Sequence, residues 1–461
     1  MMREAVFPLL KKPVPMSLQG RRVLVLGLGD TGLSVARWVE QQGAQVRVAD
    51  TRPLPPAKAA FAGELHSGAF KDSLLEGVDL LCVSPGLSLD EPVVRIAIER
   101  AIPVAGDIEL FAWHVRADTD SKVIAVTGTN GKTTVTALTG HLLRTAGIDC
   151  EVAGNIGPAA LAALSRRKAA RTDPQVWVLE LSSYQLETTW SLAPDAAAML
   201  NLTQDHLDRY SSLAEYGAAK ARIFQGDGVQ ILNRDDARSM AMARPEGARM
   251  TVGRDAPPRA WDFGVADEAL VHGESPILPV EELSIHGAHN ITNALTACAL
   301  ARTMGVSIAA LARGLQSFKG LAHRLERVAE RNGVQWYDDS KGTNVGATVA
   351  ALSGLHRKTI LIAGGEGKGQ DFSPLAAPVS QFAKKVLLIG RDAALIERAL
   401  ASSGVPVERC ASLDQAVEQA AREARPGEAV LLSPACASFD MFRDYRHRGE
   451  VFAAAVKGLD A

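Results

Sequence analysis

The sequence predicts an α/β protein built from three consecutive doubly wound domains, Rossmann-like, P-loop and Rossmann-like in that order. Three observations predict it. Short apolar runs alternate with helix-period stretches, several of those runs end in glycine- or proline-bearing turns, and 461 residues are too many for one core. The expected divisions are 1–115, with an N-terminal extension over 1–19, then 116–319 and 320–461.

The extension holds Glu4, Lys11, Lys12 and three prolines around a short apolar run at 6–10, which is not the pattern of a secretory signal. The first domain opens with an apolar strand at 22–27, the turn Gly27-Leu-Gly-Asp-Thr-Gly32 and a helix through Leu33, Ala36 and Val39. A second strand at 45–49 ends at Asp50, 18 residues past the last glycine. This is the Gly-x-Gly-x-x-Gly fingerprint, in which glycines admit a pyrophosphate to a helix N-terminus. On these residues alone, an NAD enzyme and glycines serving only close strand–helix packing both stay open. A strand at 80–83 runs into Ser84-Pro-Gly86, a second turn at a strand's carboxyl end, where ligands of parallel sheets collect.

The second domain carries the most informative stretch, Val123-Ile-Ala-Val-Thr-Gly-Thr-Asn-Gly-Lys-Thr-Thr134. It reads as a buried strand, a phosphate-binding loop and a helix whose Val135, Leu138 and Leu142 share one face. Gly128 and Gly131 let backbone N–H groups curl around anionic oxygens, Lys132 adds a mobile cation, and Thr133 offers a hydroxyl to Mg²⁺. Val126 stands where the usual pattern has its first glycine, so the loop is a shortened variant. The protein therefore uses a nucleoside triphosphate. A strand at 176–180 ends on Glu180, an oxygen ligand where Mg²⁺ beside a phosphate loop needs one. A strand at 196–202 opens into Thr203-Gln-Asp-His-Leu-Asp-Arg209. By spacing alone, His206 fits a surface or core role as well as a site role. Lys220 reads as an exposed helical lysine without distinction.

A linker at 318–321 leads to the third domain, with strands at 334–338, 359–363, 385–389 and 429–432. Two of them end in the turns Gly364-Gly-Glu-Gly-Lys368 and Ser433-Pro-Ala-Cys-Ala-Ser438. Composition narrows the class. Hydrophobic content of 47% and charged content of 22% suit a soluble enzyme, and a net charge of −2 gives no electrostatic case for nucleic acid or an anionic membrane. No apolar run approaches a membrane span. The five scattered cysteines lack Cys-x-x-Cys spacing and fit reduced thiols of a cytoplasm.

Taken in order, these loops resemble those of the Mur ligases, ATP-dependent enzymes that build the peptide of bacterial cell-wall precursors, and within them the D-glutamate-adding branch. The resemblance covers nearly all the chain beyond residue 20. Besides the motifs above, it rests on Asp50-Thr-Arg52, Gly106-Asp-Ile-Glu-Leu-Phe111, Gly154-Asn-Ile-Gly157, Glu180-Leu-Ser-Ser-Tyr-Gln-Leu-Glu187, His289-Asn-Ile-Thr-Asn293, His323-Arg324, Asp339-Ser-Lys-Gly-Thr-Asn344 and 432–442.

The resemblance implies that a carboxylate takes the γ-phosphoryl group of ATP, becomes an acyl phosphate and is attacked by an amine. Its implied partners are UDP-N-acetylmuramoyl-L-alanine, D-glutamate and ATP, acted on by a cytoplasmic monomer with Mg²⁺, two ions in all. ATP would lie on Gly128, Thr129, Asn130, Gly131, Lys132, Thr133 and Thr134, with Asn290, Asn293, Arg324 and Asp339 around it. Thr133, Glu180, His206 and Lys220 would hold metal, Lys220 as a carbamate formed with CO₂. Lys132, His206, Lys220 and Lys341 would be catalytic, with His206 and Lys341 the candidates for deprotonating the amine. The first-domain fingerprint would then cradle the pyrophosphate of UDP rather than NAD, using Asp30, Thr31, Thr51 and Arg52, while Asn155 and Gln185 reach the muramoyl part. D-Glutamate would meet Thr343, Lys368, Ser438, Phe439 and Tyr445. Phe439, Tyr445 and Gly342 stand where the resemblance leads one to expect Leu, Phe and Ala. A ligase adding another amino acid and a folylpolyglutamate synthetase are the alternatives, the latter without a UDP-binding segment.

Overall fold

The computed structural model describes residues 17–206, 209–285 and 287–459. Most of the N-terminal extension, 1–16, lies outside the described residues. Runs such as Val23–Leu26 and Val123–Thr127 are buried throughout, as strands covered by helices on both faces must be. Three sheets result.

In the first, β1 (Arg22–Leu26), β2 (Gln45–Asp50), β3 (Glu64–Ser67), β4 (Leu80–Val83) and β5 (Val104–Ala105) lie in the order β3-β2-β1-β4-β5, all parallel. The order reverses between β1 and β4, so their carboxyl ends flank a natural crevice.

The central sheet has β6 (Lys122–Thr127), β7 (Cys150–Gly154), β8 (Val176–Glu180), β9 (Ala196–Met199), β10 (Val229–Asn233) and β11 (Arg249–Val252). It then adds β12 (Phe263–Ala266), β13 (Ala269–His272) and β14 (Ser275–Pro279), in the order β14-β13-β12-β11-β10-β9-β6-β8-β7. The last three pair as antiparallel hairpins, an extension the sequence reading did not foresee. The strand expected over 196–202 ends at Met199, which frees Leu200, Asn201 and Leu202 for the loop beside the phosphate turn.

The third sheet runs β15-β16-β20-β17-β18-β19, from β15 (Glu326–Arg331), β16 (Val334–Asp338), β17 (Thr359–Gly364), β18 (Ala383–Ile389), β19 (Val407–Arg409) and β20 (Ala429–Leu432). Only its β15–β16 pairing is antiparallel.

The first and central sheets share one apolar core. Phe111, on helix Asp107–Asp118, meets Trp177 of β8 edge-on at 5.1 Å between ring centroids. That helix runs through residue 115, the expected end of the first domain. The third sheet keeps separate cores on its two faces. Among the described residues no helix is long and apolar enough to cross a membrane.

Candidate active site

At the β1/β4 crevice a cavity of about 950 Å³ opens toward the central sheet. Asp30, Thr31, Thr51, Arg52, Asn155 and Gln185, the six residues expected to meet a UDP-sugar, all line it. The turn after β1 is tight enough to demand glycine. A Cβ on Gly32 would lie 1.9 Å from the Gly27 carbonyl oxygen. Asp50, at the end of β2, fixes the rim by accepting the Leu28 N–H at 2.7 Å and both the backbone and the guanidinium of Arg52. The Arg52 hydrogen bonds hold its carboxyl down at about 2, against the opposing effect of burial. Gln185 closes a capping box with Ser182 at the start of helix Ser183–Glu187 and donates to Asp107 Oδ2 at 2.9 Å. Burial pushes the Asp107 carboxyl up to about 6.

The phosphate turn joins β6 to helix Lys132–Thr145, with Gly131 at φ 86°. Lys132 Nζ donates to the Gly128 and Thr129 carbonyls at 2.8 and 2.7 Å. Asn130 is held through its backbone by both ends of the Asn201 amide, a residue the sequence reading missed. Around the lysine lie charges from distant parts of the chain. Burial lowers the Lys132 pKa, Glu180 and Asp205 raise it, and Arg324 and Lys341 lower it again. Thr134 is buried beside it, and Thr133 Oγ1 accepts from Arg324 at 2.5 Å. Asn293 and Asn290 pair at 3.0 Å on the adjoining helix, Ala288–Thr303.

Lys220 corrects the sequence reading. It is not an exposed helical lysine but 1% exposed, its Nζ 2.8 Å from the Gly128 carbonyl oxygen and 4.6 Å from the Tyr216 ring centroid. Tyr216 and Lys220 are four residues apart on helix Leu213–Ala221, so one face carries both inward. Burial, reinforced by the Lys132 charge, holds the Lys220 ammonium well below its ordinary pKa.

Glu180, at the end of β8, is also 1% exposed. Its Oε1 accepts from Asn155 at 2.7 Å, while Oε2 is buried without a hydrogen-bond partner among the described residues. A buried carboxyl oxygen left without a partner is a natural place for a cation. By chemistry, that oxygen, the Thr133 hydroxyl and the His206 imidazole are donor types that would suit Mg²⁺. His206 adopts φ 56°, and its Nδ1 lies 2.7 Å from the Tyr184 hydroxyl oxygen, a second partner not foreseen. Burial lowers the His206 pKa.

The third sheet presents the ends of β16, β20 and β17 to this place. Asp339, after β16, accepts from Ser433 Oγ at 2.7 Å and from the Leu325 N–H, and burial pushes its carboxyl up to about 7. Lys341 Nζ stands 3.9 Å from the Tyr445 ring centroid, and burial brings it down to about 8. The Thr343 N–H donates to the Lys341 carbonyl. A bridge between Glu366 and Ala437 lays the Lys368 loop along the Ser438 loop, with Ser438 buried and Phe439 68% exposed. Two contacts between residues far apart in the sequence seat this part on the phosphate turn: the Arg324 bond to Thr133, and Asn344 Nδ2 to Asn130 Oδ1 at 3.0 Å. Asn344 and Asp205 lie inside motifs quoted above, yet nothing in their spacing marks them as partners; their 3.3 Å contact exists only in the fold.

Three family descriptions match the chain: Mur ligase MurD-like, N-terminal domain, over 21–106; Mur ligase middle domain, over 126–301; and Mur ligase, glutamate ligase domain, over 323–436. The chain is 53% identical to the UDP-N-acetylmuramoylalanine–D-glutamate ligase of Nitrosospira multiformis, over 97% of both chains. It is also 53% identical to the protein of the same name from Thiobacillus denitrificans, over 97% of this chain and 98% of that one. Among solved structures, the UDP-N-acetylmuramate–alanine ligase MurC of Thermotoga maritima shares the fold, with a TM-score of 0.61 at 17% identity over 95% of this chain and 100% of its own.

Proposed function

The chain belongs to the Mur ligase family, and from that premise we propose that it joins D-glutamate to UDP-N-acetylmuramoyl-L-alanine, converting ATP to ADP and phosphate. The observation that carries the reading is the 53% identity, over 97% of both chains, to a protein named for that activity. Within this chain a phosphate turn lies against a buried lysine, and the buried Glu180 leaves one carboxylate oxygen without a partner among the described residues.

The chemistry follows from the acceptor. A carboxylate is a poor acyl electrophile because its leaving group would be oxide. Once it carries the γ-phosphoryl group of ATP, the D-glutamate amine attacks the acyl carbon, and the tetrahedral intermediate expels phosphate. Each stage gathers negative charge, so cations in a dry site do most of the work. Lys132 exchanges its two loop carbonyls for the β- and γ-phosphates. Thr133, Glu180, His206 and Lys220 would hold Mg²⁺, two ions in all, which would supply charge neutralisation to the transferring phosphoryl group. Lys220 serves as a carbamate: its neutral amine adds to the carbon of CO₂, one proton leaves, and a carboxylate takes the place of an ammonium. The depressed pKa supports this, because only the unprotonated amine is nucleophilic.

Asn290, Asn293, Arg324 and Asp339 close around the nucleotide, and the cavity beside β1 takes the UDP-sugar. Thr343, Lys368, Ser438, Phe439 and Tyr445 receive D-glutamate, where a lysine and hydroxyls suit two carboxylates. His206 or Lys341 removes the amine proton. These tasks divide over 1–115, 116–319 and 320–461, in a cytoplasmic monomer. Five free, buried cysteines agree with a reducing compartment. The test is to replace D-glutamate by hydroxylamine in the presence of ATP, Mg²⁺ and the UDP-sugar. A hydroxamate of the UDP-sugar marks the acyl phosphate; ADP formation without the UDP-sugar would contradict the reading.

A further inference from the structure

The cavity beside β1 has one lining residue whose origin sets it apart. All the others come from the first 185 residues, whereas Arg446 comes from the first turn of helix Tyr445–Gly458, the last helix of the third sheet's domain. We propose that Arg446 is a positioning residue for the UDP-bearing substrate, binding its diphosphate from across the cleft. This rests on the reading of the cavity as the UDP-sugar site.

The charges around the cleft require such a cation. Helix Asp30–Gln41 aims its N-terminus at the cavity, but its first residue is an acid, which opposes an anion there. Arg52 is engaged fork-on with Asp50, at 2.8 and 2.6 Å. Arg37 spends a terminal nitrogen on the Ala60 carbonyl at 2.9 Å. Arg446, by contrast, makes no ion pair among the described residues, though it feels the charges of Asp444 and, more weakly, Asp30. The one hydrogen bond of its side chain among the described residues runs from Nε to the Tyr445 hydroxyl oxygen at 3.2 Å. That leaves both terminal guanidinium nitrogens for phosphate oxygens, the bidentate geometry arginine suits.

Tyr445 gains a purpose at the same time. Its hydroxyl, the atom a phenylalanine would lack, steadies Arg446, while its ring lies against Lys341. One side chain thus links the diphosphate cleft to the reacting end. A substrate held by both the β1 turn and Arg446 spans the first and third sheets and favours their closed arrangement.

Steady-state kinetics on the full chain test this, with each substrate varied in turn at low and high ionic strength. Arg446→Ala should raise KM for UDP-N-acetylmuramoyl-L-alanine about tenfold, equivalent to about 1.4 kcal/mol. KM for ATP and for D-glutamate should stay within about twofold, and Arg446→Lys should recover part of the loss. KM for the UDP-sugar should rise with salt more steeply in the parent than in Arg446→Ala, since a screened charge pair has been removed. Arg446→Gln serves should the alanine variant fold poorly. An unchanged KM for the UDP-sugar, or equal rises for all three substrates, would overturn the proposal. If the parent enzyme does not turn over this UDP-sugar at all, it is the functional reading that falls.

Discussion

Lys220 shows how far one residue's environment departs from its sequence context. Within Tyr216-Gly-Ala-Ala-Lys220 it looks like any solvated helical lysine, yet it ends 2.8 Å from the Gly128 carbonyl, beneath the phosphate turn. The four-residue spacing to Tyr216 was legible as a shared face, but what that face meets depends on β6, which is some 90 residues away in sequence. Glu180 was more legible, because an acid ending an apolar strand beside a phosphate turn has a chemical reason to be there. Lys220→Ala is expected to lose at least about 100-fold in kcat, the scale of removing one electrostatic group from a preorganised site. Short carboxylic acids such as acetate should restore part of the loss by standing in for the carbamate. A variant with parental kcat, or one that no acid rescues, would argue against the modified lysine.

At the level of elements, what could be read was what burial imposes. β1, β4, β6, β8 and β20 are mostly apolar and buried, and each ends in a turn to which the sequence reading assigned a chemical purpose. The β12–β13 hairpin was illegible for a specific reason. Its two-residue turn is Asp267-Glu268, both at positive φ (48° and 59°), without the glycine or asparagine that usually announces such a turn. The phosphate turn keeps its glycines where they are needed. At Gly131, φ is 86° and an added Cβ would sit 2.5 Å from Asn293 Oδ1. Gly131→Ala should therefore weaken ATP binding more than about tenfold, with UDP-sugar affinity unaltered, as calorimetric titration of each ligand would show. Equal weakening of both ligands would mean that the substitution acts on the fold rather than on the turn.

On the scale of the whole molecule, the three sheets are not joined alike. Phe111 and Trp177 weld the first to the second through a continuous apolar core, whereas the third meets the phosphate turn through polar contacts, Arg324 to Thr133 and Asn344 to Asn130. A polar seam of that kind favours relative motion, so the third domain is expected to be the part that opens and closes over nucleotide. The number of domains was readable from chain length and strand–helix alternation; the unequal seams were not, because they depend on which surfaces meet. Asn344→Asp probes the seam. Aspartate keeps the N-cap on Ala347, but sets a negative charge against Asp205, 3.3 Å away. Stability should change by less than about 1 kcal/mol, while KM for ATP rises several-fold. A parental KM for ATP would show that the seam does not govern closure.

The most direct test of the account is phosphate release with UDP-N-acetylmuramoyl-L-alanine, ATP and Mg²⁺, offering D-glutamate, L-glutamate, L-alanine and diaminopimelate one at a time. The account predicts turnover with D-glutamate alone. Turnover with a different amino acid would keep the acyl-phosphate chemistry but contradict the assignment of Lys368 and Ser438 to D-glutamate, and release with none of the four would contradict the central claim itself.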